Sequence, residues 1–364
     1  MMIWLDIIDP KYVLFFRQML PLLKTTDEIL ITTRKSQGYD ECARLLELFG
    51  IQSHCVGGYG GASKEGKFQA RLDRQRAFLE LFNDLKQMPR LFITGASVEG
   101  VQTAFGLGIP VVNFADTPVA NDHFSLDSIT ILSRLTLPLS TLVFRPFVVP
   151  EICYTSLGLD SCNVKAYDFI DVALWLKDIP ESTPDSKKAF CAKLGLDERL
   201  PIILVREEEY KAHYVKEKLP IIEQSITLLA QNLNANIIIM PRYESDYLIK
   251  SFSSLQNVVI WEEKLEPKVF YPHIDLLIGG GGTMNLEACY LGIPVISTRS
   301  LFLFHDRYLL DNGLMKHCKN AKEVLESARE ILRQNAPKIL QKRLFEPKIA
   351  GFEAIIQDIM PLMS

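Results

Sequence analysis

One stretch of the chain occurs twice. Residues 92–114 read FITGASVEGVQTAFGLGIPVVNF, and residues 276–299 read LLIGGGGTMNLEACYLGIPVISTR. With Leu107-Gly108-Ile109-Pro110 laid on Leu291-Gly292-Ile293-Pro294, Gly95 falls on Gly279 and Ala104 on Ala288. Each copy is an apolar strand, a small-residue loop, a helix and a turn into the next strand, which is the repeating unit of a doubly wound α/β sheet. A chain of 364 residues is too long for one ordinary core. The repeat therefore predicts two similar parallel-sheet domains facing each other.

The rest of the sequence keeps the same rhythm. Strand character marks Met2 to Ile8, Glu28 to Thr32, Gln52 to Val56, Arg90 to Thr94, Pro110 to Phe114 and Leu142 to Phe144. Helical periodicity marks Val13 to Leu23, Tyr39 to Phe49, Gly66 to Lys86 and Val98 to Leu107. Strands resume at Ile202 to Val205, Ile237 to Met240, Val258 to Trp261, Leu276 to Ile278 and Val295 to Ser297. The polar segment Asp178 to Asp185, with two prolines, is the expected linker between a first domain over 1–178 and a second over 186–345.

Forty basic residues against 44 acidic ones leave a net charge of -4, so no overall positive field exists to hold nucleic acid. The seven cysteines are scattered with no C-x-x-C pair, which fits reduced thiols and gives no zinc site or other metal centre. MMIWLDIIDPKYVLFF carries acids where an export signal needs a basic region, so the expected location is the cytoplasm. The apolar region Ile129 to Tyr154 is interrupted by Arg134, Arg145 and three prolines, whereas a spanning helix needs roughly 20 uninterrupted apolar residues. It reads either as core or as a peripheral contact with the inner face of a membrane.

Gly279-Gly280-Gly281-Gly282-Thr283 follows a strand and opens a helix. Such a loop lets the backbone approach a ligand, and the free N–H groups at the helix start attract an anion such as a diphosphate. Glu287, just over one turn on, is within reach to accept hydrogen bonds from a ribose diol. A tight turn with Glu287 on a solvated face satisfies the same residues. No Lys follows in P-loop spacing, and the first strand-to-helix turn, Asp6 to Lys11, lacks the glycines of the dinucleotide fingerprint.

WLDIIDPKYVLFF, ITTRKSQGYDECARLLELFGI, GGYGGASKEGK, SRLTLPLS, LVREEEYKAHY and GGGGTMNLEACYLGIPVIST, in this order, resemble the prokaryotic domain-of-unknown-function family 354 over nearly the whole chain. That family is similar to GT-B glycosyltransferases and to the non-hydrolysing UDP-GlcNAc 2-epimerases. The resemblance implies a GT-B-like α/β fold, two Rossmann-like doubly wound parallel-sheet domains facing across a cleft, with a C-terminal helix over 346–364 packing back on the first. It also implies that Gly281, Gly282 and Thr283 hold a diphosphate and Glu287 a ribose. Family members carry His where this chain has Tyr12 or Leu14, and again at Pro118 or Val119, so a mechanism resting on those histidines does not carry over.

Metal-independent glycosyl transfer needs a cationic or N–H-rich clamp on the departing diphosphate and a base for the acceptor's proton. Arg206 and Arg242 stand at strand ends of the second domain and are the candidate clamps, or else surface arginines paired with nearby glutamates. Asp9 and Asp116 follow strands of the first domain, and with His123 they are the candidate bases; Asp116 also suits an Asx turn. Gly57 to Gly61 precede a helix with Lys64, Lys67, Arg71 and Arg74 at helical spacing. Gly60, Gly61 and Lys64 are thus candidates to receive an anionic acceptor, the alternative being a solvated basic face.

The leading expectation is a glycosyltransferase of cell-surface or lipid-linked glycan synthesis. Its donor substrate is a UDP-sugar or other nucleotide-sugar, its acceptor a glycan or lipid-linked molecule, and no cofactor is needed. A 2-epimerase-like isomerase and a non-catalytic sugar-nucleotide-binding protein are the alternatives.

Overall fold

The computed structural model describes residues 2–24, 28–37, 39–61, 63–95, 97–208, 220–242, 245–263, 266–280, 282–346 and 351–363. The chain forms two compact units, residues 1–171 with 346–364, and residues 172–345. The first unit holds β1 (Met2–Asp6), β2 (Glu28–Thr33), β3 (His54–Cys55), β4 (Leu91–Thr94), β5 (Val111–Phe114), β6 (Leu142–Pro146) and β7 (Val164–Tyr167). They pair in the order β3-β2-β1-β4-β5-β6-β7, every pair parallel. The second unit holds β8 (Ile202–Arg206), β9 (Asn236–Met240), β10 (Val258–Ile260), β11 (Leu276–Gly279), β12 (Val295–Ser297) and β13 (Met315–His317), in the parallel order β10-β9-β8-β11-β12-β13. Both sheets start at their centre, wind outward and return to the other side, the doubly wound topology.

Strands covered on both faces need continuous apolar runs rather than alternation. Ile202–Val205 and Ile237–Ile239 are buried throughout. In the first unit, Trp4 of β1 meets Phe78, Phe82 and Phe92 at ring separations of 4.6, 5.0 and 4.2 Å. On helix α1 (Pro10–Leu23), Phe15 packs against Phe114, and also against Phe352 of the C-terminal segment at 5.1 Å, which accounts for the grouping of residues 346–364 with the first unit. Helices α2 (Glu41–Leu48), α3 (Lys64–Leu85) and α4 (Val98–Gly106) complete the connections used below.

The two Leu-Gly-Ile-Pro junctions have one geometry. Gly108 and Gly292 both sit at φ 72°, a left-handed conformation that favours glycine. Ile109 N donates to Ala104 O, and Ile293 N to Ala288 O, each at 2.9 Å; Gly108 N and Gly292 N donate to Phe105 O and Cys289 O, each at 3.1 Å. This is the Schellman arrangement that ends a helix and satisfies its last carbonyls. The strand register corrects one detail of the alignment. Thr94 pairs with Asn113 and Gly279 with Ser297, so the first unit has one residue more between strand and junction. Gly95 therefore corresponds to Gly280, not to Gly279.

The compact units divide between Asp171 and Val172, ahead of the polar segment Asp178 to Asp185, and Val172, Ala173 and Leu176, between that division and the segment, are buried. Two further expectations are revised. Strands β7 and β13 escape a hydrophobicity search because they are short edge strands carrying Lys165 and Lys316. Arg74 does not belong to an exposed basic face. It is wholly buried, its guanidinium gripping Asp6 Oδ1 and Oδ2 at 2.6 and 2.8 Å while its Nε donates to Val56 O. Within Ile129 to Tyr154, β6 is core while Ile131 and Ile152 are exposed. Among the described residues no helix is long and apolar enough to cross a membrane.

Removing one partner of a buried pair leaves an uncompensated charge. Arg74→Met is expected to cost about 3–5 kcal/mol of stability, and Arg74→Lys most of that, since lysine lacks the two-pronged geometry. Urea unfolding measures both; losses below about 1 kcal/mol, the scale of exposed pairs, would show that the pair does not anchor α3 to β1.

Candidate functional site

In the second unit, the centre of the sheet sets the site. Arg206 at the end of β8 is opposite Gly279 at the end of β11, and Gly280 N donates to Arg206 O at 3.2 Å. A Cβ on Gly280 would run into the Glu208 backbone, and one on Gly279 into the Asn285 amide. Gly279 and Gly280 are therefore glycine because neighbouring chain fills the space, independently of any ligand. Gly282, at φ 76°, is the N-cap of the Thr283–Tyr290 helix, with no side-chain cap and no acid in the first turn. Its opening N–H groups thus have the polarity that favours an anion. Gly281 lies outside the described residues.

Glu287 is not on a solvated face. It is buried, with Trp175 Nε1 donating to Oε1 at 2.9 Å and Tyr271 Oη to Oε2 at 2.7 Å. A carboxylate has about four lone-pair positions, so these bonds fix its orientation and leave acceptor capacity on both oxygens. Burial raises its pKa; the bonds from Trp175 and Tyr271 and the charge of Arg206 oppose that rise. Burial, and then the Glu287 charge, push the Tyr271 phenol well above its ordinary value. Neither Trp175, over a hundred residues from Glu287, nor Tyr271 carries a motif that sequence reasoning could use.

The proposed clamps are partly committed. Arg206 is half-buried and donates through Nη1 to the Met240 and Pro241 carbonyls at the end of β9. The Arg242 backbone N–H donates to Glu207 Oε2 at 2.8 Å, and Tyr247 Oη donates to the other oxygen of the same carboxylate. Glu208 instead accepts from the N–H and hydroxyl of Ser300.

In the first unit, Asp9 is the N-cap of α1, accepting from Lys11 N at 2.9 Å beside Pro10. Asp116 is joined by two residues that the sequence did not single out. Lys11 Nζ lies 2.5 Å from Asp116 Oδ2 and 2.5 Å from Asp171 Oδ2, bridging the ends of β5 and β7. Burial alone would lower the Lys11 pKa, but Asp116 and Asp171 reverse this and hold it well above its ordinary value. Tyr12, in a position where a family histidine was expected, covers Gly95 with its ring and donates to Phe114 O at 2.8 Å. Tyr154 donates to Ala115 O at 2.6 Å, so the chain leading into Asp116 is fixed by two phenols. His123 is exposed, with its ring nitrogens against its neighbours Asn121 and Asp122. Lys64 is exposed in the first turn of α3, Gly61 is open at φ 75°, and Gly60 packs against the Gly66 backbone too closely for any Cβ. Among the described residues no group of three His, Cys, Asp or Glu is placed to hold a metal ion.

Glu287 gives a pH-dependent prediction. Its folded pKa lies above the unfolded one, so between the two the folded chain holds a proton that the unfolded chain has lost, and stability falls as pH rises through that window. The stability of wild type minus that of Glu287→Gln, from urea unfolding, is expected to decrease from the ordinary glutamate range towards neutrality. A difference that stays flat or rises contradicts a raised carboxyl.

The fold is shared with solved enzymes over their whole length. A UDP-GlcNAc 2-epimerase from Neisseria meningitidis, bound to UDP-GlcNAc, matches at a TM-score of 0.74 and 18% identity over 100% of each chain. The Methanocaldococcus jannaschii UDP-GlcNAc 2-epimerase, with UDP-GlcNAc and UDP, matches at 0.72 and 17%, over 99% of this chain and 100% of that one. Anabaena Alr3699/HepE with UDP-glucose matches at 0.64 and 14%, over 99% of each. At these low identities the structural matches show a common GT-B-like fold alone. In sequence, the chain is 28% identical over 326 residues to the uncharacterized protein MJ0665 of Methanocaldococcus jannaschii, covering 89% of each. The model of the family described as "Protein of unknown function (DUF354)" matches residues 1–355, and the chain belongs to that family.

Proposed function

We propose that the protein is a nucleotide-sugar-dependent glycosyltransferase whose second unit takes a UDP-sugar. Gly280, Gly281, Gly282 and Thr283 receive the diphosphate, Glu287 the ribose, and Arg206 and Arg242 add positive charge. The observation that carries this is the uncapped, glycine-opened helix with an oriented, buried Glu287 just over one turn in. The fold of solved proteins with UDP-sugars bound supports it.

In transfer, the bond from sugar C1 to the diphosphate oxygen breaks, its electron pair leaving with UDP. A bond forms from the acceptor oxygen to C1, and the acceptor's proton passes to a base. Preoriented N–H groups and arginines stabilise charge that develops on the diphosphate, so the step needs neither metal nor cofactor. Asp116 is the candidate base, because Tyr12 and Tyr154 fix the backbone that leads into it at the end of the first sheet. Asp9 is engaged as a helix cap and His123 is exposed, and both rank below it. The first unit receives a glycan or lipid-linked acceptor near Gly60, Gly61 and Lys64, with peripheral membrane contact as the setting for a lipid-linked one.

A second reading, a 2-epimerase-like isomerase, is supported by the end-to-end likeness to the epimerase structures and uses the same donor residues. Calorimetry with UDP, UDP-GlcNAc and UDP-glucose tests the shared part. Glu287→Ala is expected to raise Kd by about tenfold or more, the scale of one lost charged hydrogen bond; no binding by wild type, or unchanged affinity in the variant, overturns it. Release of UDP only when a glycan or lipid extract is added supports transfer. Deuterium entering the sugar at C2 from heavy water without an acceptor overturns transfer in favour of epimerisation.

A further inference from the structure

At the C-terminal ends of β2 and β3, two tyrosines and several basic side chains gather where the donor chemistry makes no use of them. Tyr39 and Tyr59 stack at 4.0 Å between ring centres, 26° from parallel. The Arg34 guanidinium is 5.4 Å and the Lys67 ammonium 5.7 Å from the Tyr59 ring, inside the range of cation–π attraction. Glu99, itself buried, is 3.6 Å from Arg34 and offsets part of that charge. Burial, and then Arg71 and Arg34, push the Lys67 ammonium down against the opposing influence of Tyr39, so these basic groups are close enough to feel one another.

The platform is built rather than incidental. Tyr59 N donates to Ser36 Oγ at 2.7 Å, and Lys35 N to Gly57 O at 3.2 Å. Ser36 and Tyr39 exchange backbone hydrogen bonds at 3.1 and 2.9 Å. A Cβ on Gly58 would strike Ser36 Oγ, the hydroxyl that accepts from Tyr59 N, so a side chain there would displace that contact. Tyr39 keeps 46% of its surface exposed, which leaves aromatic surface open to a ligand.

A stacked aromatic pair offers a flat apolar surface of the kind that a sugar ring covers. A guanidinium fork and an ammonium beside it supply several donors to one tetrahedral anion. We propose that Arg34, Tyr39, Tyr59 and Lys67 form a binding site for a sugar phosphate ester, the phosphorylated end of the acceptor. It deepens the acceptor role given above to the first unit and rests on that role only for the word acceptor.

The full chain is titrated by calorimetry with N-acetylglucosamine 1-phosphate, inorganic phosphate, N-acetylglucosamine and farnesyl phosphate. Saturable binding of the sugar phosphate, weakened by salt and absent for the neutral sugar at the same concentration, is the expected result. Lys67→Gln and Arg34→Gln are each expected to weaken it by about tenfold. Tyr59→Leu should weaken the sugar phosphate while leaving inorganic phosphate within about twofold. Tighter binding of farnesyl phosphate with the same dependence on Lys67 and Arg34 supports the phosphate site and assigns its source to a lipid carrier. Unchanged affinity in Lys67→Gln and Arg34→Gln, or no phosphate ester bound by wild type up to about 10 mM, overturns the proposal. UDP titrated against the same variants keeps the two accounts apart: loss of sugar phosphate binding with UDP affinity intact shows a folded protein damaged only at this site, whereas a wild type that ignores UDP refutes the donor account alone.

Discussion

In both sheets, the residue directly after the fourth strand has no room for a side chain. Gly95 lies under the Tyr12 ring and Gly280 against the Glu208 backbone, each one position beyond the central pairs Asp6–Thr94 and Arg206–Gly279. This close approach lies at the C-terminal end of a central strand in each sheet. The Leu-Gly-Ile-Pro junctions then return the chain to the sheet by identical turns. Arg206 ends β8 beside the Gly280 turn, and Thr283 and Glu287 belong to the helix which that turn opens, whereas Arg242 follows the neighbouring β9.

Both units bury charges in pairs. The first has Arg74 gripping Asp6 inside the sheet and Lys11 between Asp116 and Asp171 at its end, and the second has Arg299 against Asp306. The second presents backbone N–H groups at an uncapped helix start and a carboxylate oriented by an indole and a phenol. With a net charge of -4, any attraction for a diphosphate, as proposed, has to be local, from fixed dipoles and a few arginines rather than a basic surface.

Much of the frame was legible because it rests on local rules. Continuous apolar runs gave most of the strands, and Gly108 and Gly292 sit where a helix end needs positive φ. Glu287 could be picked out by its spacing from the glycines. What lay hidden depends on long-range pairing: Lys11 meets residues 105 and 160 positions away, and nothing local distinguishes Arg74 from the exposed Lys64 on the same helix. The one-residue offset of the repeat shows only in the strand register, since an extra residue before the junction leaves both motifs intact.

The central claim is that the glycine-opened helix of the second unit is where the nucleotide sits. Amide hydrogen exchange read residue by residue, with and without saturating UDP, tests it directly. Slowed exchange at Gly282, Thr283 and Met284, with the amides of Lys64 to Lys67 unchanged, is the predicted result. Bound UDP that leaves those second-unit amides exchanging as in the free protein would contradict it.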